Sequence, residues 1–493
     1  MIKIHDKVIK NQPKFWNHAL FHPTDAIEDS WGKRILDRMA ADGAIKTIRI
    51  YSMFEDIVYL GENGELCYDF RITDLRLDYL LEKGYDILIA YAAMPVCIAK
   101  DKNLNNCASK NATRYKGKLF NTSPPTDYAL WEEVCYEYTK HLVERYGEDT
   151  VAKWHCHCHN EPDGAFWMND LPSSEFIPKS REYCKLYDAF VRGVRRASKG
   201  IRIGGPALAH KLEFLDCFLS HVKETGVEMN YIALHTYGTS VGNLNSGARP
   251  LATENHFKYR LDPYMEIMRK YGFENVEMII DEWGASSMGY FNIEECPSLI
   301  FRENEVYSSY FAKLICQLVH SDFNISKMMI CLSGQHEMTT DFSGFRNFFT
   351  LNFITKPIYN AHLMTSKMGD LLLESETDNE NIFVVSTKDG EGSYSTILTY
   401  CSEFFEENLP DITEKVTFAE DVSDKKVSVW CIDKNTTNPY RMWEREGKPE
   451  MTEELLKALR EEGKLKPFKV QSGSEPLNLL LTANCTYLIT VQK

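Results

Sequence analysis

Short apolar runs alternate with amphipathic stretches from residue 15 to about residue 365. Eight of these runs have the length and composition of buried strands: "FWNHAL" (15–20), "KTIRIY" (46–51), "YDILIAYA" (85–92), "VAKWHCHCH" (151–159), "IRIGG" (201–205), "YIALHTY" (231–237), "VEMIID" (276–281) and "KMMICLS" (327–333). Eight strands, each followed by a helix, predict a (β/α)8 barrel with long loops. A doubly wound parallel sheet is the alternative, but no glycine-rich phosphate turn follows the early strands.

Two of the intervening helices can be placed by their ends. The segment 125–147 ends at Gly147 and carries an apolar stripe formed by Leu130, Val134, Tyr138 and Leu142. The segment 73–84 begins at Thr73, a suitable N-cap, and closes on Gly84. Both segments fit the outer ring of a barrel.

The pattern changes after residue 366. Short strand-like runs separated by Gly, Asp and Asn turns follow one another, interrupted by one helical segment at 452–464. We therefore predict a catalytic barrel over 15–365 and a β-sandwich accessory domain over 366–493. The N-terminal "IKIHDKV" is a candidate additional strand of that sandwich.

Composition limits the choice of partners and location. A formal charge of -15 and a pI near 5.5 argue against a nucleic-acid partner, which requires a basic surface. The first twenty residues lack the apolar centre of a signal peptide, and no later run has the length of a membrane span, so we expect no membrane association. Fourteen cysteines without a repeating framework then indicate reduced thiols in a cytoplasmic protein.

The stretch "WHCHCHNEPDGAFW" (154–167) raises the question of a metal site. Side chains alternate along a strand, so His155, His157 and His159 are predicted to share one face. Neighbouring positions on that face lie about 6.6 to 7 Å apart, which makes convergence of three ligands on one metal awkward. We favour a strand with packed or hydrogen-bonded histidines over a soft-metal cluster, and we expect no cofactor.

Two acidic residues stand at the ends of different predicted strands. Glu161 follows the fourth strand and Glu282 follows Asp281 at the end of the seventh. Barrel active sites lie at the carboxyl ends of the strands, so these two side chains are predicted to face each other across the mouth. A carboxyl pair about 5 to 5.5 Å apart is what retaining glycoside hydrolysis requires, with one acid neutral and the other ionised. The alternative is that both are ordinary surface carboxylates at strand ends.

Several segments, in this order, resemble clan A glycoside hydrolases, most closely family 39, the group of β-xylosidases and α-L-iduronidases. They are "SPPTDYALWEEVCYEYTKHLVERYG", "NEP" with "FW", "IGGPAL", "LHTYG", "IDEWG" and the C-terminal "NPYRMWEREGKPEMTEELLKALREEGKLKP". The resemblance implies that Glu161 is the acid/base and Glu282 the nucleophile. It also implies that Asn160 binds the sugar 2-hydroxyl, and that His235 and Tyr237 lie near the nucleophile.

Three aromatic residues beyond the catalytic strands are candidate sugar-stacking groups: Phe166, Trp167 and Trp283. The alternative for these rings is packing at the rim of the barrel.

The chain departs from the family pattern at sugar-recognising positions. "HALFHPTD" replaces a glycine-rich turn after strand one, Tyr51 replaces a histidine after the strand-two arginine, and the customary aromatic near Cys331 is absent. His18 and His22 flank the end of strand one and are candidates either for sugar contact or for packing.

The resemblance implies a small oligosaccharide or glycoside as the substrate. We expect an exo-acting retaining hydrolase of plant-type oligosaccharides, with β-xylosidase as the first choice. A β-glucosidase, β-galactosidase, or arabinose- or uronate-cleaving activity is open within the same chemistry. A non-catalytic carbohydrate-binding barrel and a metalloprotein built on the histidine strand are the other classes. The resemblance also favours a homo-oligomer.

Overall fold

A computed structural model describes residues 1–21, 27–107, 119–172, 174–287, 289–333 and 338–492. Its strands are β1 Ile2–Asn11, β2 His18–Phe21, β3 Thr47–Tyr51, β4 Val58–Leu60, β5 Leu66–Tyr68, β6 Asp86–Tyr91, β7 Asn105–Cys107, β8 Leu119–Asn121, β9 His155–Cys158, β10 Arg202–Leu208, β11 Tyr231–Thr239, β12 Glu277–Ser286, β13 Ile325–Leu332, β14 Leu371–Thr377, β15 Ile382–Lys388, β16 Tyr394–Tyr400, β17 Ile412–Phe418, β18 Lys426–Ile432, β19 Lys469–Ser472, β20 Leu477–Leu481 and β21 Cys485–Gln492.

The α-helices are α1 Ser30–Asp42, α2 Phe54–Ile57, α3 Arg71–Glu82, α4 Tyr128–Tyr146, α5 Glu148–Val151, α6 Phe176–Ala197, α7 Leu212–Thr225, α8 Val241–Ser246, α9 Glu254–His256, α10 Asp262–Tyr271, α11 Glu305–Val319, α12 Pro357–Ser366, α13 Pro439–Arg445 and α14 Glu453–Glu462. A π-helix spans Phe257–Leu261 and a 3-10 helix spans Pro297–Glu303. None of the helices in the described ranges combines the length and apolar character that crossing a membrane requires.

Eight parallel strands close into a barrel in the order β2, β3, β6, β9, β10, β11, β12, β13. These are the eight strands predicted from the apolar runs, and a helix follows each of them, so the predicted barrel is confirmed. The fourth strand is shorter than predicted. It begins only at His155 because α5 occupies Glu148–Val151.

One predicted helix start is wrong. The helix α3 begins at Arg71, and Thr73 lies buried within its first turn instead of capping it. Asp69 accepts a hydrogen bond from the backbone N–H of Arg71 at 3.2 Å and so supplies the side-chain oxygen that was expected from Thr73.

The remaining strands, apart from the hairpins β4–β5 and β7–β8, form a nine-stranded sheet in the order β19-β18-β21-β16-β15-β14-β1-β17-β20. The Tyr487 hydroxyl of β21 donates to the carbonyl of Leu480 in β20 at 2.7 Å, although those strands are not neighbours in the sheet. This contact shows that the sheet folds over on itself. A separate apolar core fills the space inside this fold. The predicted sheet-rich accessory domain is confirmed, and β1 joins it through antiparallel pairing with β14 and parallel pairing with β17.

The helix α11 connects the two parts of the molecule. It follows β12 and is buried along nearly its whole length, between the barrel and the sheet. Ser309 and Thr399 share a hydroxyl hydrogen bond at 2.6 Å, and Glu305 accepts from Asn438 at 2.7 Å and pairs with Arg441 at 2.7 Å. A helix that is covered on all sides can carry apolar residues around its full circumference.

Candidate active site

A bulge in β12 turns two consecutive acidic residues towards the barrel interior. Leu234 of β11 pairs with Ile280, but the next residue, His235, pairs with Glu282, so Asp281 is the extra residue. An extra residue interrupts the alternation of side chains along a strand. Asp281 is completely buried and Glu282 is 7 % exposed, and both contact Arg49.

Glu161 is held by an irregular backbone. It lies just beyond β9 with φ of 45°, and its N–H donates to the carbonyl of Ala207 at 3.0 Å, where β10 is itself irregular. Non-glycine residues seldom adopt positive φ, and such conformations occur often at functional sites. One carboxylate oxygen of Glu161, one of Glu282 and a ring nitrogen of His235 all lie within 4.8 Å of one another. The structure therefore brings together the two acids that the sequence singled out.

Glu282 is surrounded by donors. Its Oε1 accepts from Arg49 at 3.0 Å and from the Tyr51 hydroxyl at 3.4 Å, while its Oε2 accepts from the Tyr237 hydroxyl at 2.8 Å. Burial acts to raise the pKa of Glu282, but the charges of His235, Arg49 and Arg346 outweigh it and lower the pKa below its ordinary value. Glu282 is thus held as a carboxylate.

The surroundings of Glu161 shift its pKa in the opposite direction. Burial raises its pKa above the ordinary value, and the nearby charges of Glu282 and Asp163 act in the same direction, against the hydrogen bond from His235 at 2.7 Å. Two adjacent acids with pKa values displaced in opposite directions can act as a proton donor and a nucleophile.

His235 is the cation between these acids. Burial alone would lower its pKa, but Glu282 and Asp281 outweigh that effect and, with Glu161, raise the pKa to about 10. Its Nδ1 lies 2.7 Å from Glu161, and its Nε2 lies 3.6 Å from Asp281. His235 therefore donates to Glu161 and carries a positive charge at neutral pH.

A pH dependence of stability follows from this shift. The folded-state pKa of about 10 lies above the unfolded value of about 6.5, so the contribution of His235 is fully present below about pH 6.5 and is lost as pH rises through about 10. The groups facing His235 are Glu161, His157, Asp281 and Glu282. We expect the difference in unfolding free energy between the wild type and His235→Gln to shrink between pH 6.5 and 10, as measured by urea denaturation. A constant difference would contradict the assignment of charge to His235.

Arg49 organises the floor of the site and is the main residue that sequence reasoning missed. Its guanidinium donates to Asn160 Oδ1 at 2.6 Å and to His157 Nε2 at 3.2 Å, and lies 3.1 Å from Asp281. It is completely buried in β3. The signal in the sequence was an arginine inside the apolar run "TIRIY", since a fully buried arginine requires acidic or polar partners.

Arg49 also orients Asn160. Because the amide oxygen of Asn160 accepts from Arg49, its NH2 group remains to donate. That arrangement suits the 2-hydroxyl contact expected of Asn160.

Tyr237 links Glu282 to a second arginine that was not predicted. The Tyr237 hydroxyl accepts from Arg346 at 2.7 Å while donating to Glu282, and Arg346 also donates to Ser333 at 3.2 Å. Arg346 comes from the long loop after β13, where no strand or helix pattern marks it. Buried Cys331 packs in the same cluster as Tyr51 and Tyr237.

Tyr237→Phe is expected to lower kcat/KM about 10- to 100-fold and to move the acid limb of its pH profile to higher pH. The hydroxyl donates to the charged form of Glu282, so its loss raises the pKa of that carboxyl. The pH dependence of kcat/KM measures this change. Tyr231→Phe is the matched control, because Tyr231 lies at the start of the same strand and its buried hydroxyl has no hydrogen-bond partner. An acid limb that stays in place in Tyr237→Phe would refute the role.

The structure corrects the expectation for two of the three aromatic residues. Trp283 is completely buried and stacks on Phe311 of α11, with ring centroids 5.3 Å apart. Trp167 is also completely buried and donates to the carbonyl of Lys179 at 3.1 Å. Rings covered by the outer helices cannot stack on a sugar. Phe166 is half-buried, in a small cluster with Ala93 and Phe120, and remains a candidate.

Of the three histidines of the fourth strand, His155 and His157 share the face that points into the barrel, where they lie near Glu277 and Asp281 of β12, and only His159 departs from the predicted common face. His157 faces Arg49, but His159 has left the strand with φ of 63° and packs edge-on against Trp167. His155 lies at the other end of the strand, 3.7 Å from Glu277. Among the described residues, converging metal-ligand atoms occur at Glu161, His235 and Glu282 and not at these three histidines.

The two histidines near strand one have different outcomes. His18 is the first residue of β2, so it lies at the end of the barrel opposite the site, which rules out sugar contact and leaves packing as its role. His22 lies outside the described residues.

A parallel barrel with two opposed carboxylates at the carboxyl ends of its fourth and seventh strands defines the class of the protein as a glycoside hydrolase. The chain belongs to glycosyl hydrolases family 39, whose model matches residues 2–472. It is 24% identical over 488 residues to a β-xylosidase of Caldicellulosiruptor saccharolyticus, covering 93% of this chain and 90% of the relative. A human α-L-iduronidase is 25% identical over 252 residues, covering 46% of this chain and 34% of the relative.

The fold has matches among solved structures. A crystal structure described as a monomeric β-xylosidase from Caulobacter crescentus superimposes with a TM-score of 0.82 at 19% identity, covering 100% of this chain and 99% of that chain. A likeness at this level of identity supports the arrangement of barrel and sheet.

Proposed function

We propose that the protein is a retaining exo-glycoside hydrolase of plant-type oligosaccharides, with β-xylosidase as the preferred activity. The observation that carries the mechanism is the carboxyl pair, with oxygens of Glu161 and Glu282 within 4.8 Å and pKa values displaced in opposite directions. Retaining enzymes hold their two carboxyl groups about 5 to 5.5 Å apart, and inverting enzymes hold them further apart. The relatives named β-xylosidase support the choice of sugar.

In the first step Glu282 attacks the anomeric carbon while Glu161 protonates the departing oxygen. Arg49, Tyr51 and Tyr237 hold the attacking carboxylate in its charged form and in one orientation. The donor amide of Asn160 suits a 2-hydroxyl contact that strengthens in the transition state.

In the second step Glu161 has become a carboxylate and accepts a proton from the water that releases the sugar. The positive charge of His235, 2.7 Å away, stabilises this newly formed carboxylate. The same charge limits how far burial and Glu282 raise the pKa of Glu161.

Trapping with 2-deoxy-2-fluoro glycosyl fluorides tests the proposal. The fluorine slows both steps and a good leaving group restores the first, so the covalent intermediate accumulates. We expect the xylosyl reagent to add one fluorosugar to the peptide that contains Glu282, as found by mass spectrometry. Labelling by the gluco, galacto or arabino reagent instead would assign another sugar. No labelling across the panel would favour a non-catalytic carbohydrate-binding barrel.

Location, assembly and metal content are parts of the same proposal. A cytoplasmic location is supported by the thirteen cysteines whose side chains the structure describes, all of which are free thiols. A homo-oligomer is supported by the resemblance alone, and light scattering of the purified protein tests it. Activity that survives prolonged chelation, with no bound metal by elemental analysis, is expected of acid/base chemistry by Glu161 and Glu282.

A further inference from the structure

Two arginines between β11 and α10 have no acidic partner in the part of the chain that the structure describes. Arg249 and Arg260 flank the partly exposed Tyr259, and neither forms an ion pair with a carboxylate among the residues that the structure describes. The Arg249 guanidinium lies 3.7 Å from the centre of the Tyr259 ring and donates weakly to the carbonyl of Asn255 at 3.4 Å. Arg260 donates through Nη1 to the carbonyls of Tyr259 at 2.8 Å and His210 at 3.5 Å.

Both guanidinium groups are partly withdrawn from water. The Nε atom of each is buried without a hydrogen-bond partner, and burial lowers the pKa of both side chains. Two other partly buried arginines have carboxylate partners: Arg195 pairs with Glu228 at 2.6 Å, and Arg441 with Glu305 at 2.7 Å. The buried Arg302 has none, but it donates to the carbonyls of Gly344, Ser286 and Ser287. A partly desolvated cation that lacks a counter-ion is costly to the folded protein and favours binding of an anion.

Of the two arginines, Arg260 lies near the acid/base residue. Asp163, two residues after Glu161, accepts from the backbone N–H groups of Ala209, His210 and Lys211 at 2.7 to 2.8 Å. The carbonyl of His210 in turn accepts from Arg260. Because three N–H groups occupy the Asp163 carboxylate, it does not pair directly with Arg260, although its charge and that of Glu161 act on that arginine.

We propose that Arg260, assisted by Arg249 and the ring of Tyr259, binds an oxyanion substituent on the leaving-group side of the substrate. The acid/base residue protonates the leaving oxygen, so groups beside Glu161 face the departing unit rather than the sugar attacked by Glu282. A guanidinium binds a uronate carboxylate or a sulfate ester through two parallel hydrogen bonds. The preferred substrates would then carry the scissile sugar on an acidic saccharide. This inference rests on the proposed function.

Aryl glycosides with matched leaving groups test the subsite. For the sugar that the trapping experiment identifies, 4-carboxyphenyl, 4-sulfophenyl and neutral 4-carbamoylphenyl glycosides differ in the charge presented beyond the scissile bond. We expect Arg260→Gln to lower the kcat/KM ratio of an anionic to the neutral glycoside about tenfold or more, and Arg260→Lys to recover part of it. The carboxyl and sulfo compounds distinguish the two sources of the anion. Arg192→Gln, which alters an exposed arginine paired with Glu132 on the outer helices, is the control.

Calorimetric binding of the same compounds to Glu282→Gln, with and without Arg260→Gln, gives a comparison that needs no turnover. If the preference for the anionic over the neutral glycoside were the same with and without Arg260, in both binding and kcat/KM, the subsite would be overturned. Failure of the wild type to hydrolyse any of the glycosides would overturn the proposed function instead. A loss that is equal for charged and neutral compounds would show that Arg260 only supports the fold.

Discussion

Glu282→Gln is expected to reduce kcat on the order of 10⁴-fold or more, because the amide cannot attack the anomeric carbon and no covalent intermediate forms. Substrate binding should persist, since the amide is close in size to the carboxylate and can still contact Tyr237. The fold should also persist, because Arg49 keeps Asp281 as a counter-ion at 3.1 Å. Steady-state kinetics, together with loss of labelling by the fluoro reagent, measure the effect.

The matched control is Glu277→Gln. Glu277 lies on the same strand at the opposite end, where it contacts His155 and Arg202 rather than the site. The substitution Glu277→Gln should therefore lower the stability of the protein more than its turnover. If Glu282→Gln kept a rate close to that of the wild type, while Glu277→Gln behaved as expected, the nucleophile would have to be another residue.

Glu161→Gln is expected to lower the rate about 10²- to 10⁴-fold on substrates with poor leaving groups, because no acid then protonates the departing oxygen. The loss in the first step should be much smaller for activated aryl glycosides, whose leaving groups need little protonation. With such substrates the intermediate should accumulate, because Glu161 also serves as the base of the second step. Pre-steady-state bursts of the released phenol measure this accumulation.

Azide provides the control for that assignment. A small anionic nucleophile needs no base, so it should restore turnover of Glu161→Gln and yield a glycosyl azide of retained configuration. Glu213→Gln, which alters an exposed acid at the start of α7, should neither slow the enzyme nor respond to azide. An inverted azide product would contradict the double-displacement mechanism.

Much of the fold could be predicted, because barrel strands and their helices have distinct periodicities. The two acids were also accessible, since each follows an apolar run and the carboxyl ends of all eight strands meet at one rim. Asp281 was not assigned a role, because strict alternation turns one of two neighbouring residues away from the interior. Only the bulge in β12 brings both inside, and a bulge leaves no mark in an apolar pattern.

Trp283 was misassigned because the alternation of side chains along the strand was not applied to it. With Glu282 facing inward, the next residue is directed to the outer helices, where Trp283 meets Phe311. Arg346 could not be found by pattern at all, because it enters the site from an irregular segment. The buried pair of Glu303 and Lys356, 2.6 Å apart, anchors that segment, with Glu303 accepting from the N–H of Gly344 and Lys356 donating to the carbonyl of Phe345.

The pairing of β1 with β14 and β17 has a consequence for the order in which the protein folds on the ribosome. The strand β1 is synthesised before its partners, which emerge only after the whole barrel, and β21 supplies the neighbour of both β16 and β18. Contacts between residues so distant in the chain form slowly. The barrel can therefore assemble before the sheet, which is completed only when β21 has emerged.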